Sequence, residues 1–343
     1  MGSEICPVCG NRKSKTALSA YDCENCGFEN AYIAYFAGEK SFAAWRANAE
    51  AAKKKRELQE IKEFASSARF TAGGNAFSFI SQKDGTLYTV FGDGRVAEEK
   101  DVKQVSHSER NYAVLYKNGT VKVFGEDNTY SQKDTSSWAG ISFVLTVPNC
   151  VYGVTESGDV LAAGVPASEN IKFWRGIAKL SGSAEYIAAL TRDGNVLAEG
   201  SLPDKSFYGT VSALKNVQAI SASRNCLLAL HTDGTVSFAG KTGDARSGAE
   251  AWREVLAIAS DGSFAVGLTH EGKVLLAGAC KPFLEKGRSA ASSWQNIAAV
   301  SCNQSGICAL TKRGELLFAG TVSGDIEKMK NAWNGSIRGI IGA

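Results

Sequence analysis

The residues best suited to chemistry stand at the N-terminus. Cys6-Pro7-Val8-Cys9-Gly10 and Cys23-Glu24-Asn25-Cys26-Gly27 spell Cys-x2-Cys-x13-Cys-x2-Cys, with Gly directly after each pair. A two-residue gap lets both sulfurs of a pair point inward while nearby backbone amides donate to them, and Gly permits the tight turn this needs. Cys6, Cys9, Cys23 and Cys26 are therefore predicted to hold one Zn²⁺ as a zinc ribbon. A redox Cys-x-x-Cys or a pair of disulfides is the competing reading of the same residues. Four thiolates close the coordination sphere and leave no position for water or substrate, so the expected zinc is structural. In about 30 residues with little other core, metal binding of roughly 10–16 kcal/mol would drive folding.

Elsewhere the chain offers little that could act on a substrate. Gly240-Lys241-Thr242 has the end of a phosphate loop, but the Gly needed five residues earlier is Thr235. The three histidines, His107, His231 and His270, fall at different phases of the repeat described below and are not expected to converge. Cys150 and Cys226 share a repeat position with Phe77, Tyr186 and Phe264, which reads as a buried apolar place. With no catalytic set in view, the chain is read as non-enzymatic.

Composition narrows the classes further. The 343 residues are 44% hydrophobic, enough for a large buried core. Lys and Arg number 38 against 35 acidic residues, and a net charge of +3 supplies no general field for nucleic acid or anionic membrane. The N-terminus lacks a basic-then-apolar signal segment, and no apolar stretch approaches the roughly 18–20 residues that span a bilayer. Nine cysteines, four of them in paired Cys-x-x-Cys units, suit a reducing compartment. The expectation is a cytoplasmic protein with no membrane contact.

What must position any working surface is a repeat. An apolar run, a polar turn with Gly, and a second apolar run ending on another Gly recur seven times. The turn glycines are Gly85, Gly119, Gly158, Gly194, Gly234, Gly272 and Gly314. Two residues after each comes an aliphatic: Leu87, Val121, Val160, Val196, Val236, Val274 or Leu316. Four residues before stand Leu115, Val154, Leu190, Leu230, Leu268 and Leu310, with only Ser81 out of line. The second Gly falls at Gly125, Gly164, Gly200, Gly240, Gly278 and Gly320, and one residue late at Gly92 in the first unit. Large and small residues alternate with the period of a strand, so each unit is predicted to be a hairpin turning at its Asp-Gly, Asn-Gly or Ser-Gly. Twenty residues before five of the turns lies Trp138, Trp174, Leu214, Trp252 or Trp294, each followed by an aliphatic run. That interval predicts one more strand per unit, with a large side chain wedged between neighbouring sheets. An aromatic ligand site is the alternative for these Trp residues.

The ends complete each other. Trp333, Ile337, Ile340 and Ile341 begin an eighth unit that stops, while the first unit begins near Phe70 without a Trp segment. A last strand pairing into the first sheet removes open edges. The prediction is an all-β, seven-bladed β-propeller over residues 69–343, closed by its C-terminal strand. It is preceded by the zinc ribbon at 1–36 and a linking α-helix within 37–68. In the linker Phe42, Trp45, Ala49 and Ala52 are helically spaced, and Lys53, Lys54, Lys55 and Arg56 sit among Glu50, Glu57, Glu60 and Glu63.

The units Leu190-Thr191-Arg192-Asp193-Gly194-Asn195-Val196 and Leu230-His231-Thr232-Asp233-Gly234-Thr235-Val236 resemble the repeat core of the regulator of chromosome condensation propellers. Trp-x-x-Ile before such units resembles the bacterial versions. The resemblance covers roughly 69–343. The family's Gly-Gln pair after the second strand has one counterpart, Ser131-Gln132. It implies a propeller and a protein partner, since family members bind proteins, sometimes chromatin, and some act as exchange factors or enzyme inhibitors. No role transfers residue by residue.

The expected function is a scaffold that holds a protein partner on loops gathered at one rim. The candidate contacts are Asn75, Arg110, Asn111, Asn149, Glu185, Arg224, Asn225 and Ser305, with the zinc ribbon as a second docking surface. The alternative is nucleic-acid binding through the ribbon and the Lys53–Arg56 cluster.

Overall fold

The computed structural model describes residues 71–320 except 74–75, 81–85, 92–95, 109, 202–204, 242, 263, 279–288, 303–305 and 313–314, together with residues 47 and 331. The four predicted zinc ligands, the linker helix apart from Ala47, Asn75, Ser305 and the tail from Trp333 lie outside the described residues.

Seven antiparallel sheets follow one another along the chain. The first has four strands, β1 (Thr71–Gly73), β2 (Ala76–Ile80), β3 (Leu87–Phe91) and β4 (Val96–Glu99). Each of the other six has three. They are β5 (Val102–His107), β6 (Asn111–Tyr116) and β7 (Val121–Gly125); β8 (Ile141–Val147), β9 (Cys150–Thr155) and β10 (Val160–Gly164); and β11 (Ile177–Gly182), β12 (Tyr186–Thr191) and β13 (Val196–Gly200). Then come β14 (Val217–Ser223), β15 (Cys226–His231) and β16 (Val236–Gly240); β17 (Val255–Asp261), β18 (Phe264–Thr269) and β19 (Val274–Gly278); and β20 (Ile297–Cys302), β21 (Gly306–Thr311) and β22 (Leu316–Gly320). The strand after the Trp and the hairpin around the turn Gly make one sheet, as the repeat spacing requires.

The first strands touch in chain order, β1 with β5, β5 with β8, β8 with β11, β11 with β14, β14 with β17 and β17 with β20. β20 in turn touches β1, so the circle closes among the described residues. Seven sheets in a closed ring make the architecture of a seven-bladed propeller. Middle strands such as β12 and β15 are buried from end to end but for their last residue, because a neighbouring blade covers each face.

Ser81 breaks the repeat for a local reason. Ile80 pairs with Leu87 where Leu115 pairs with Val121, so Ile80 fills the expected aliphatic place and the first hairpin is one residue longer. The fourth strand β4 was not foreseen.

Blades are tied together through backbone. The carbonyls of Gly119, Gly158, Gly194, Gly234 and Gly272 each accept from the first residue of the next blade, Ile141, Ile177, Val217, Val255 and Ile297, at 3.0 Å. All five turn glycines have φ between 74° and 89°. At Gly158 an added Cβ would lie 2.8 Å from the Gly176 backbone, so neither the dihedral nor the space admits a side chain. In the second to seventh blades the residue before the inner strand is also left-handed: Asp101, Gly140, Gly176, Asn216, Glu254 and Asn296. Its carbonyl accepts from the hairpin turn of its own blade, as in Lys117 N to Asp101 O at 2.7 Å. One residue later all six inner strands slip register through a bulge, which sharpens local twist where the chain enters the ring.

Trp138, Trp174, Leu214 and Trp252 are buried and Trp294 half-buried, each in an apolar cluster shared by adjacent blades. They are wedges in the seams, and the ligand-site alternative for them falls away. The seam between the first two blades has no Trp. There Val114, Tyr112, Tyr116 and Phe124 pack with Ile80, Leu87 and Val102, and Tyr116 donates to Glu99 of β4 at 3.1 Å.

Candidate functional site

In the second to fifth blades the turn joining the first and second strands carries the predicted contact residues, and the second repeat Gly explains why these turns share one edge. A Cβ on Gly125 would lie 2.3 Å from the Arg110 carbonyl, on Gly164 2.3 Å from that of Asn149, on Gly200 2.5 Å from that of Glu185, and on Gly240 2.9 Å from that of Asn225. Four blades thus press the same turn against the end of their third strand. The carbonyls of Asn149 and Glu185 also accept from Val165 N at 3.0 Å and Ser201 N at 2.8 Å, which fixes the turns at both ends.

The side chains differ in what they are free to do. Arg110, Arg224 and Asn225 are exposed. Arg224 Nε lies 3.2 Å from Glu185 Oε1, an ion pair that bridges the fourth and fifth blades across the rim. Asn149 is half-buried. Asn111 is buried, and its amide is spent on the chain: Nδ2 donates to Asp127 O at 2.7 Å and Oδ1 accepts from Asp127 N at 3.2 Å. It shapes the rim rather than presenting a contact.

Two side chains brace the rim: Gln132, met in the sequence only as half of a pair, and Arg246, which the sequence reading passed over. Gln132 is fully buried; its Oε1 accepts from Tyr130 N at 2.9 Å and its Nε2 donates to Pro148 O at 3.4 Å, in the rim turn of the third blade. Ser131 has φ 60°, in the left-handed region that favours Gly. Arg246 does the same work three blades on. It too stands six residues before a Trp, is 2% exposed, and donates to Gly262 O at 2.8 Å in the rim turn of the sixth blade. Its other bonds reach Ser223 Oγ at 2.7 Å and Asp244 Oδ1 at 2.9 Å. Burial disfavours both charges, yet the bonds between them outweigh it: the guanidinium becomes more basic and the Asp244 carboxyl more acidic than usual. Counting back from Trp138 and Trp252, rather than forward from the second Gly, aligns the two residues.

The histidines lie in the second, fifth and sixth sheets or at their ends. His107 Nε2 is 2.6 Å from Ser78 Oγ, which is 2.9 Å from Thr89 Oγ1, a small polar chain in the Trp-less seam. Its ring stacks on Tyr112 and Tyr112 on Phe124. Desolvation there pushes the imidazole down to about 4. His231 is held by Lys215 O at 2.9 Å and Ser237 Oγ at 2.8 Å beside its turn. Burial pushes the Cys150 thiol up to about 12 and raises Cys226, as for packed apolar residues. Among the described residues no cluster of His, Cys, Asp or Glu is arranged to hold a metal, and no helix is long and apolar enough to cross a membrane. The Lys53–Arg56 cluster lies outside them.

A closed ring of radial sheets with pinned turns at one rim defines a β-propeller. Among solved structures the chain is similar to the CRINKLY WD40 ectodomain of the Arabidopsis thaliana receptor kinase ACR4, at 13% identity and a TM-score of 0.57 over 75% of this chain and 96% of that one. It is similar also to the ectodomain of the Physcomitrella patens receptor kinase CR4, at 12% identity and a TM-score of 0.55 over 74% and 72%. A third likeness is to the structure of Kap60 bound to yeast RCC1 (Prp20), at 13% identity and a TM-score of 0.51 over 78% and 82%. At these identities the likeness is one of fold. No protein-family model matches the chain, and no curated protein matches it.

Proposed function

We propose that the protein is a non-enzymatic scaffold of the regulator of chromosome condensation type that holds a protein partner on the rim carrying Arg110, Asn149, Glu185, Arg224 and Asn225. The observation that carries this reading is the construction of the rim. Equivalent turns are pressed against repeat glycines, tied by backbone bonds and braced by Gln132 and Arg246, so exposed side chains stand on a rigid frame. Preorganised polar groups lower the ordering cost of association. The yeast RCC1 structure, with Kap60 bound, is a propeller in a protein complex, which supports the class of partner and not its identity. In the same proposal Cys6, Cys9, Cys23 and Cys26 hold structural zinc in a ribbon that offers a second docking surface. A donor set of four thiolates suits Zn²⁺ and suits no open catalytic position.

The test is capture from native cytoplasm with the full chain as bait. Arg110→Glu with Arg224→Glu should lose the partner, whereas Lys117→Glu, on the hairpin turn at the opposite end of its blade, should keep it. Capture of nothing above background by folded bait, or equal capture by both variants, overturns the reading. If nucleic acid is captured instead, its binding should fall about tenfold or more between 50 and 200 mM salt.

A further inference from the structure

The rim turns of the fourth, fifth and sixth blades are joined from beneath by one buried chain of polar contacts. Tyr186, the first residue of β12, donates its hydroxyl across the seam to Cys226 O at 2.6 Å. Cys226 closes the turn that presents Arg224 and Asn225. Its Sγ lies 3.4 Å from Oγ of Ser223, the residue that opens the same turn. Ser223 Oγ accepts from Arg246 Nη1 at 2.7 Å, and the same nitrogen donates to Gly262 O at 2.8 Å in the turn of the sixth blade. No side chain in this chain is more than 4% exposed, so none of them is within reach of a partner. Above it the ion pair of Arg224 and Glu185 ties the first two turns a second time.

The hydroxyl that starts the chain is an addition to the repeat. The strand position that pairs with the second repeat Gly is Tyr186 in the fourth blade and Asn111, Cys150, Cys226, Phe264 or Gly306 in five others. None of those side chains has a hydroxyl. The Tyr186 ring packs edge to face on Phe207, with ring centres 5.3 Å apart. Phe207 belongs to the helix α1 (Lys205–Ala213), which stands where three other seams carry a short 3-10 turn. The ring therefore fills the seam, and the oxygen is spent on the neighbouring turn. A buried polar network in which each group finds a partner rigidifies what it joins.

We propose that Tyr186 and Arg246 are positioning residues of the rim, locking three consecutive turns into one rigid body. How tightly Arg224 and Asn225 hold a partner is then set by side chains that no partner touches, because turns already ordered cost less to bind. The use of this lock rests on the rim reading of the protein's function, whereas its presence is tested without a partner.

Tyr186→Phe removes one oxygen and keeps the ring on Phe207. In hydrogen exchange of the full chain followed by NMR, the probe is the Arg246 Nε proton, which is donated to Asp244 Oδ1 at 2.9 Å. It should exchange about fivefold or more faster in the variant, the size of one buried hydrogen bond. The Leu115 amide, in the core of the second blade, should keep its rate. Ser223→Ala cuts the chain one link nearer Arg246 and is read by the same two rates should Tyr186→Phe fail to fold. An unchanged Arg246 rate in the folded variant, or a Leu115 rate that rises as much, overturns the proposal. If the arginine variants still lose the partner while Arg246 exchange is unchanged, the lock falls and the rim reading stands.

Discussion

Gly153 and Trp138 are in contact across a seam so tight that a Cβ on the glycine would lie 2.8 Å from ring atom Cζ3. The pairing repeats at Gly267 and Trp252, with the Cβ 2.8 Å from Cε3. Where no Trp precedes the blade, the same position holds Val114. Side-chain volume is therefore exchanged across these seams.

Gly153→Val should destabilise the fold by about 1–3 kcal/mol through overpacking, and Trp138→Leu in the same chain should return part of the loss. Urea unfolding of the two single variants and the double variant measures the coupling. Additive losses would show that the two residues do not share the seam.

Arg246 is braced against a carboxylate, and removing one partner strands the other. Arg246→Ala should cost about 3–5 kcal/mol because Asp244, half shielded, loses its counter-charge. Arg246→Gln with Asp244→Asn should cost less, since Gln132 does the same bracing without charge in the third blade. Thermal melts of the three proteins rank them.

His107 makes stability depend on mild acid. Its folded-state pKa of about 4 lies below the ordinary 6.5, so the unfolded chain binds the proton first as pH falls. Stability is full above about 6.5 and declines toward pH 4, by up to about 3 kcal/mol from this group. In His107→Gln the slope of unfolding free energy between those limits should flatten. An unchanged slope would remove His107 as the cause.

Zinc analysis of the purified chain should give one equivalent, and Cys9→Ser should release it while the propeller's β-sheet circular dichroism is kept. Full occupancy after losing Cys9 contradicts four-thiolate ligation.

Architecture was legible because seams demand equal spacing. Seven turn glycines and five wedges are copies of one solution, and the period survives even where steps vary from 34 to 42 residues. The rim was read in part. Arg110, Asn149, Glu185, Arg224 and Asn225 occupy equivalent turns, whereas Asn111, adjacent in sequence, is consumed by the Asp127 backbone. Local pattern does not distinguish a displayed amide from a spent one. The bracing shared by Gln132 and Arg246 was not foreseen, since one role is filled by two unlike side chains and only a count from the following Trp aligns them. β4 was hidden for a related reason: the first step of 34 residues leaves no room for a wedge, and an acidic strand stands there instead.

The bonds from Gly119, Gly158, Gly194, Gly234 and Gly272 to the following blade have a mechanical outcome. A linear array of repeats frays from its two outermost members, each with a single neighbour. A circle has no outermost member, so every blade is clamped on both sides and none melts early. Opening any one junction exposes two raw faces at once, and the whole annulus should come apart in one step.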